Sequence, residues 1–305
     1  MRQRPIILKV GYYLLAALFV LLAVGPAIWL ANVAFQPGAV AREGKTISYD
    51  VSDLTRPADY TLDNFRGALN LPVSTAGGDR PALPANERWH RVWDQGLLRP
   101  LANSIWVTVL QTLFNVILAA SCAYPLARMR FPGRDLLFVL VLMTLMVPEQ
   151  IIAVPLFVTV VKLGIYDTLT AVFLPFSVTA FGVYLCRQAF AAIPMDVEEA
   201  CRIDGANALR IWWHVMLPLT RPTLATLAVF SVIGAWSNLL WPLIVLQDER
   251  KYTLPVAINQ LLSVFGDNVR LAYAASLMAL VPMLIAYGLS NRWLQRGMLA
   301  GAVKG

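Results

Sequence analysis

The sequence specifies an all-α, polytopic membrane protein, and three observations carry that assignment. Of its 305 residues, 58% are hydrophobic and only 14% charged, against roughly 25% charged in ordinary soluble domains. A mean hydropathy of +0.61 leaves too few polar side chains to cover a water-soluble fold of this size. Six apolar stretches reach the about 20 residues that a helix needs to cross a ~30 Å hydrocarbon layer. None of the six alternates as a barrel strand would.

The first stretch covers residues 10–35, with Asn32 as its one strongly polar residue. Arg2, Arg4 and Lys9 precede it as they would a signal peptide. The apolar run is longer than the roughly 7–15 residues of a signal core, so it reads as a retained span. The second covers 101–127 and is closed by Arg128. The third, 136–161, is interrupted by Pro148, Glu149 and Gln150. The fourth, 168–190, carries Arg187 and Gln188 in its last turn; the fifth covers 223–246 and the sixth 271–294. The domain reading is thus a first helix at 1–35, an outer loop at 36–100, a five-helix core at 101–294 and a tail at 295–305.

Charge sets the orientation. The formal net charge of +7 concerns sidedness in a bilayer rather than nucleic acid, because short cytoplasmic loops concentrate Lys and Arg. With the N-terminus inside, the inner segments hold Arg2, Arg4 and Lys9; Arg128, Arg130 and Arg134; Arg187, Arg202, Arg210 and Arg221; and Arg292, Arg296 and Lys304. The short outer loops hold only Lys162, Arg250, Lys251 and Arg270. Both termini are therefore expected in the cytoplasm. The 36–100 loop is polar and turn-rich, balances eight basic against eight acidic residues, and has no cysteine. Loops of more than about 60 residues cross regardless of charge. It reads as an external cap or as a docking surface for an external partner.

Catalytic, cofactor and metal chemistry have no foothold. Cys122 and Cys186 lie in apolar runs, Cys201 lies in a polar loop, and His90 and His214 are far apart, so no metal-ligand spacing exists. Gly44-Lys45-Thr46 ends like a phosphate loop, but Gly38 precedes Gly44 at the wrong spacing. No nucleophile elbow, zinc-helix or dinucleotide motif is present. An enzyme is not expected, and neither is a cofactor.

The cytoplasmic loop 193–222 has internal design. Asp196 and Glu199 have the spacing of a capping box, which starts a short helix at 197–204. Gly205 is suited to the left-handed position that ends it. A second short helix at 207–216 carries Leu209, Trp212, Trp213 and Met216, with Pro218 ending it and Pro222 admitting the fifth span. Two short helices about a glycine corner suit insertion into a partner's groove.

Within this loop, Glu199-Ala200-Cys201, three residues, Gly205, nine residues, Val215, one residue, then Leu217-Pro218 resembles the "EAA" motif of ABC-importer permeases. The departures are Cys201 for alanine and Val215 for isoleucine. Arg202-Ile203-Asp204-Gly205-Ala206 is similar to the carbohydrate-uptake branch, as are Thr61-Leu62-Asp63-Asn64-Phe65, Asn103-Ser104, Arg130-Phe131-Pro132-Gly133 and Gly301-Ala302-Val303-Lys304-Gly305. The resemblance is to the second permease subunit of sugar or glycerol-3-phosphate importers. It implies a type I importer (MetI-like) core in a bacterial inner membrane. It also implies a sister permease, two copies of a cytoplasmic ATPase and an external solute-binding protein. Energy would enter through the loop. Glu199 would tie the helix end to the loop or to a basic partner group, Gly205 would permit the corner, and Leu217-Pro218 would set the angle into the fifth span.

Polar residues inside spans mark the alternatives. Glu149 is acidic within an apolar run, which is a functional hypothesis by default; it supports either a proton-linked secondary carrier or a hydrogen bond at the proline break. Ser231, Gly234, Asn238 and Trp241 share one face of the fifth span and read as helix packing or as a solute pathway. Trp236 and Trp241 could stack on a sugar or belt the interface.

Overall fold

The computed structural model describes residues 6–35, 60, 62–69, 96–264 and 269–302. Most of the 36–100 loop, including Gly44-Lys45-Thr46 and His90, lies outside them, as do residues 303–305 of the tail. Among the described residues every regular element is helical. By length and composition three helices can each cross a membrane, or up to six spans form if each sharply bent helix pair counts as one.

The chain divides into two compact units. In the first, residues 1–98 and 258–280, α1 (Ile6–Phe35) presents an almost wholly exposed apolar surface from Gly11 to Trp29, as a lipid-facing helix would. Its end is pinned by α2 (Asp63–Ala68). Asn64 donates to the Ala34 carbonyl at 2.8 Å, and the rings of Phe35 and Phe65 meet at 4.9 Å.

The second unit, residues 99–257 and 281–305, carries the core. Its axis is α3 (Leu98–Arg128), about 46 Å long at 1.5 Å per residue. The third stretch is not one helix. It forms α4 (Arg134–Thr144) and α5 (Glu149–Lys162), bent by 103°. Pro148, in extended conformation, lacks the amide that would continue α4 and steers the residue before it away from helix. The fourth is also broken, into α6 (Leu169–Phe173) with a 3₁₀ turn at Leu174–Phe176, and α7 (Ala180–Ala191), bent by 41°.

The loop follows as α8 (Met195–Ile203) and α9 (Ala208–Ile211). The fifth stretch is α10 (Arg221–Ser237) and α11 (Leu240–Val245), parted at Asn238, whose extended backbone ends the helix. Last come α12 (Leu254–Val264) and α13 (Val269–Ala302), each divided between the units.

One apolar cluster packs Ala119, Ala123 and Tyr124 of α3 against Cys186 and Phe190 of α7, with Ile211 and Met216 of the loop and Leu227 of α10. A second gathers Val107, Val160, Ala171, Trp241 and Val245. Between the clusters lies a polar junction. Asn115 Oδ1 accepts from the Thr179 amide at 2.9 Å and its hydroxyl at 3.1 Å. Asn115 Nδ2 donates to Ser231 Oγ at 2.7 Å. The amide freed by the break in the fourth span is thus satisfied inside the protein, as a membrane interior requires.

At the far end of α3 from the loop, Asn103 donates to the carbonyls of Arg250 and Tyr252, and Ser104 accepts from the Leu254 amide. There Asp167, at φ +55°, accepts from the amides of Gln247 and Asp248 and pairs with Lys251 at 2.7 Å.

Candidate functional site

The loop 193–222 has the two-helix form its sequence suggests, with different details at its start and end. The expected capping box is absent. Pro194 is the N-cap, its φ near the value the ring imposes, so α8 begins at Met195 and no side chain caps it. Asp196 then stands in the first turn, where its charge favours the positive end of the helix, and Glu199 is too far along to reach back. Glu199 is exposed, as are Ala200 and Asp204, while Cys201 sits inside α8, half-buried against the main cluster.

The corner at Gly205 is as expected. Its φ is +79°, and two bonds of a Schellman turn close the helix: the Ala206 amide to the Cys201 carbonyl at 2.9 Å and the Gly205 amide to the Arg202 carbonyl at 3.0 Å. Cys201 and Ala206, the two positions that accompany this turn with an apolar contact, both pack on the main cluster. Asn207 caps the second helix by accepting from the Arg210 amide at 2.9 Å.

That helix does not stop before Pro218. After α9 it widens into a π turn at Trp212–Met216 and continues through Leu217–Leu219. A wider turn relieves the clash between a proline ring and the carbonyl four residues earlier, which here is that of His214. The break falls at Thr220, whose hydroxyl takes the Met216 carbonyl at 2.8 Å. From there α10 leaves at 78° to the 208–219 helix. Val215, Leu217 and Pro218 are half-buried at this junction.

The inner face of the loop holds an ion pair that the sequence reading passed over. Glu198, 1% exposed, lies 3.8 Å from the Nε of Arg128, the last residue of α3. Arg128 also donates to the carbonyls of Phe190 and Ile193 and contacts the Met195 sulfur. The other Glu198 oxygen accepts from Arg202 at 2.8 Å and from the Tyr124 hydroxyl at 3.5 Å. The Arg202 side chain is 58% exposed, and a pair so open to solvent adds little. Arg128 and Glu198 are both buried and meet as an ion pair without a hydrogen bond; each keeps other partners, so removing one leaves the other's charge only partly compensated. The i, i+4 spacing of Glu198 and Arg202 was the one sequence signal; Arg128 reads only as topology charge.

The outer face is bare. Ile203, Leu209 and Trp213 are 86%, 70% and 59% exposed. Glu199 is exposed as well, while Ile211 and Met216 are buried; Leu209 also lines, with Trp212, an apolar groove of about 300 Å³ beside Ser121, Tyr124 and Pro125 of α3.

The residues flagged within spans separate. Ser231 is bonded to Asn115 and to the Leu227 carbonyl, and Trp241 donates to the Ala171 carbonyl at 2.9 Å; both are packing residues in this chain. Gly234 is exposed and Asn238 half-buried. Glu149 is not deep inside a helix and, among the described residues, bonds to no neighbouring helix. It opens α5, exposed at the break, because Pro148 ends the apolar run there as a turn.

Residues 115–300 match the family described as binding-protein-dependent transport system inner membrane component. The chain belongs to that family. The matched residues contain the whole loop and Glu198 and Arg128. The permease is 32% identical over 300 residues to the arabinooligosaccharides transport system permease protein AraQ of Halalkalibacterium halodurans, covering 98% of this chain and 96% of that one. It is 32% identical over 201 residues to the sn-glycerol-3-phosphate transport system permease protein UgpE of Yersinia pestis, covering 65% and 72%. A bacterial ABC transporter involved in the import of the acidic polysaccharide alginate shares its fold, with a TM-score of 0.74 at 23% identity over 96% of this chain and 100% of that one. These relatives favour an ABC-importer permease in the inner membrane over a secondary carrier, and a permease subunit is not itself an enzyme.

Proposed function

We propose that this permease is one of two that form the pathway of an ATP-driven oligosaccharide importer, with the loop 193–222 as its coupling site. The observation that carries the reading is the set of exposed apolar side chains on the loop, Ile203, Leu209 and Trp213, with the exposed Glu199, on helices whose Glu198, Ile211 and Met216 are buried in the core. An apolar surface of this kind is stable in water only when a partner covers it. A groove on a cytoplasmic ATPase supplies that cover, and two ATPase copies serve this loop and that of the sister permease. Asp196, Glu199, Ala200 and Asp204 line the contact; Cys201, Gly205, Val215, Leu217 and Pro218 shape it.

The excess of Lys and Arg in the inner segments supports cytoplasmic termini. An external solute-binding protein would deliver the solute. An alginate transporter of related fold is known in complex with an alginate pentasaccharide-bound periplasmic protein. The names of the relatives support a sugar, and arabino-oligosaccharide is the first solute to try. In this reading Glu149, Gly234 and Asn238 face the pathway, and Ser231 and Trp241 hold its wall.

A photo-cross-linking residue in place of Leu209 tests the docking. The expected adduct is with the ATPase, formed in inside-out vesicles. An adduct only with lipid, or reaction of a Leu209→Cys variant with an impermeant thiol reagent applied outside intact cells, would sink the reading.

A further inference from the structure

We propose that Arg128 and Glu198 are positioning residues for energy coupling: their buried pair joins α8 to the cytoplasmic ends of α3 and α7, so that the three move as one body. The inference rests on the docking reading and adds to it the internal joint through which a force on the loop reaches the spans.

Three observations support it. The outer face of α8 carries the exposed Glu199 and Ile203, so a partner grips α8 on the side away from the core. Among the described residues, every hydrogen bond or ion pair from an α8 side chain to another helix passes through Met195 or Glu198. Arg128 gathers three segments at once: it ends α3, takes the carbonyls of Phe190 and Ile193 where α7 finishes, and faces the Glu198 carboxylate.

Stability alone does not explain such a pair, because well-packed apolar residues of like volume often serve a buried site as well or better. Apolar side chains lack the directional contacts by which the guanidinium fixes the Phe190 and Ile193 carbonyls, and the charge that holds the Glu198 carboxylate beside it at 3.8 Å without a hydrogen bond. A helix held only by apolar contact can slide or tilt under load; one held by this fork carries its neighbours along.

The test uses spin labels at Ala192→Cys and Arg202→Cys, both exposed and outside the proposed contact, in the assembled transporter with Cys122 and Cys201 replaced by alanine. Distances are read without nucleotide and after trapping with ATP and vanadate. With Arg128 and Glu198 present, one narrow distribution should persist in both states. In Glu198→Gln and Arg128→Gln the trapped state should broaden or shift, with ATP still hydrolysed. Tyr124→Phe, which removes only the 3.5 Å contact, should behave as the parent.

An unchanged distribution in both charge variants would overturn the proposal. Should the single variants fail to assemble, Arg128→Met with Glu198→Met leaves no lone buried charge and decides the matter. A shifted trapped state in this double variant supports the joint. A parent-like distribution, or failure to reach the membrane with neither charge stranded, overturns it. The Leu209 cross-link in the parent keeps the two readings apart: its loss refutes docking, while its presence beside unmoved distances refutes only the joint.

Discussion

Gly182→Ala probes the tightest approach in the core. Gly182 lies in the first turn of α7, and an added Cβ would stand 3.0 Å from the Ala119 Cβ, 3.0 Å from Thr179 Oγ1 and 3.2 Å from Asn115 Oδ1. None of these neighbours yields cheaply. The Ala119 methyl is fixed to the backbone of α3, and the Thr179 and Asn115 oxygens are held by bonds of 2.9–3.1 Å. Overpacking of this kind costs about 1–3 kcal/mol. Should relief come from breaking the Asn115 contact, the stranded Thr179 amide costs a similar about 1–3 kcal/mol. Alanine regains about 1 kcal/mol of helix propensity, so the strain wins and the net loss is about 1 kcal/mol. Gly234→Ala is the internal control, because a Cβ there meets nothing within 4 Å in this chain and keeps the propensity gain. Fluorescence-detected thermal aggregation of tagged permease in detergent reads both. A midpoint for Gly182→Ala equal to or above that for Gly234→Ala would refute the reasoning.

Gly205→Val should reach the membrane at near-normal levels yet lose coupled solute uptake. Its Cβ would meet no atom, so the cost is the left-handed backbone alone, about 1–2 kcal/mol. Glu149→Gln should keep uptake; full transport in the first and none in the second would instead fit a proton-linked carrier. Trp241→Phe strands the buried Ala171 carbonyl and should lower thermal stability by about 1–3 kcal/mol. Acid should loosen the Asp167–Lys251 contact. Burial alone would raise the Asp167 carboxyl, but the Lys251 ammonium and the amides of Asp248 and Gln247 hold it below its ordinary range. A lowered carboxyl stabilises the fold above its unfolded pKa of about 3.9, and that contribution is lost as pH falls through the folded value. Lys251 is raised, chiefly by its hydrogen bond to Asp167, so its share is lost only at high pH, beyond about 10.4. Melting of the parent should therefore fall below about pH 4 more than that of Asp167→Asn; parallel profiles would contradict the contact.

The apolar stretches were legible because lipid imposes length and apolarity on every crossing helix; three helices meet that demand singly, and up to six spans do with bent pairs counted as one. The breaks in the third, fourth and fifth were not, because hydropathy does not register where a backbone turns. Pro148 gave a local cue, but Thr179 read as an ordinary span residue and Asn238 as part of a packing or pathway stripe, until Asn115 is seen to serve the first break and the Asn238 side chain to accept from the Trp241 amide at the second. The Gly205 corner was legible from one residue type, since a left-handed position has few occupants. Glu198 was missed because Asp196 and Glu199 fit a local capping pattern, while the inward turn of Glu198 depends on Arg128, seventy positions earlier in the chain.

The junction at Asn115 also bears on biosynthesis. Asn115 precedes the break at 177–179, and Ser231 follows it. A chain entering the bilayer from its N-terminus thus has the acceptor for the Thr179 amide in place before that amide arrives. The break never has to sit in lipid with its amide unserved, a state costing several kcal/mol. Ser231 then closes the junction from a span that arrives later. A circular permutant with its new start in the segment between α5 and α6 would reverse this order, sending the broken span into the membrane ahead of the helix that completes it.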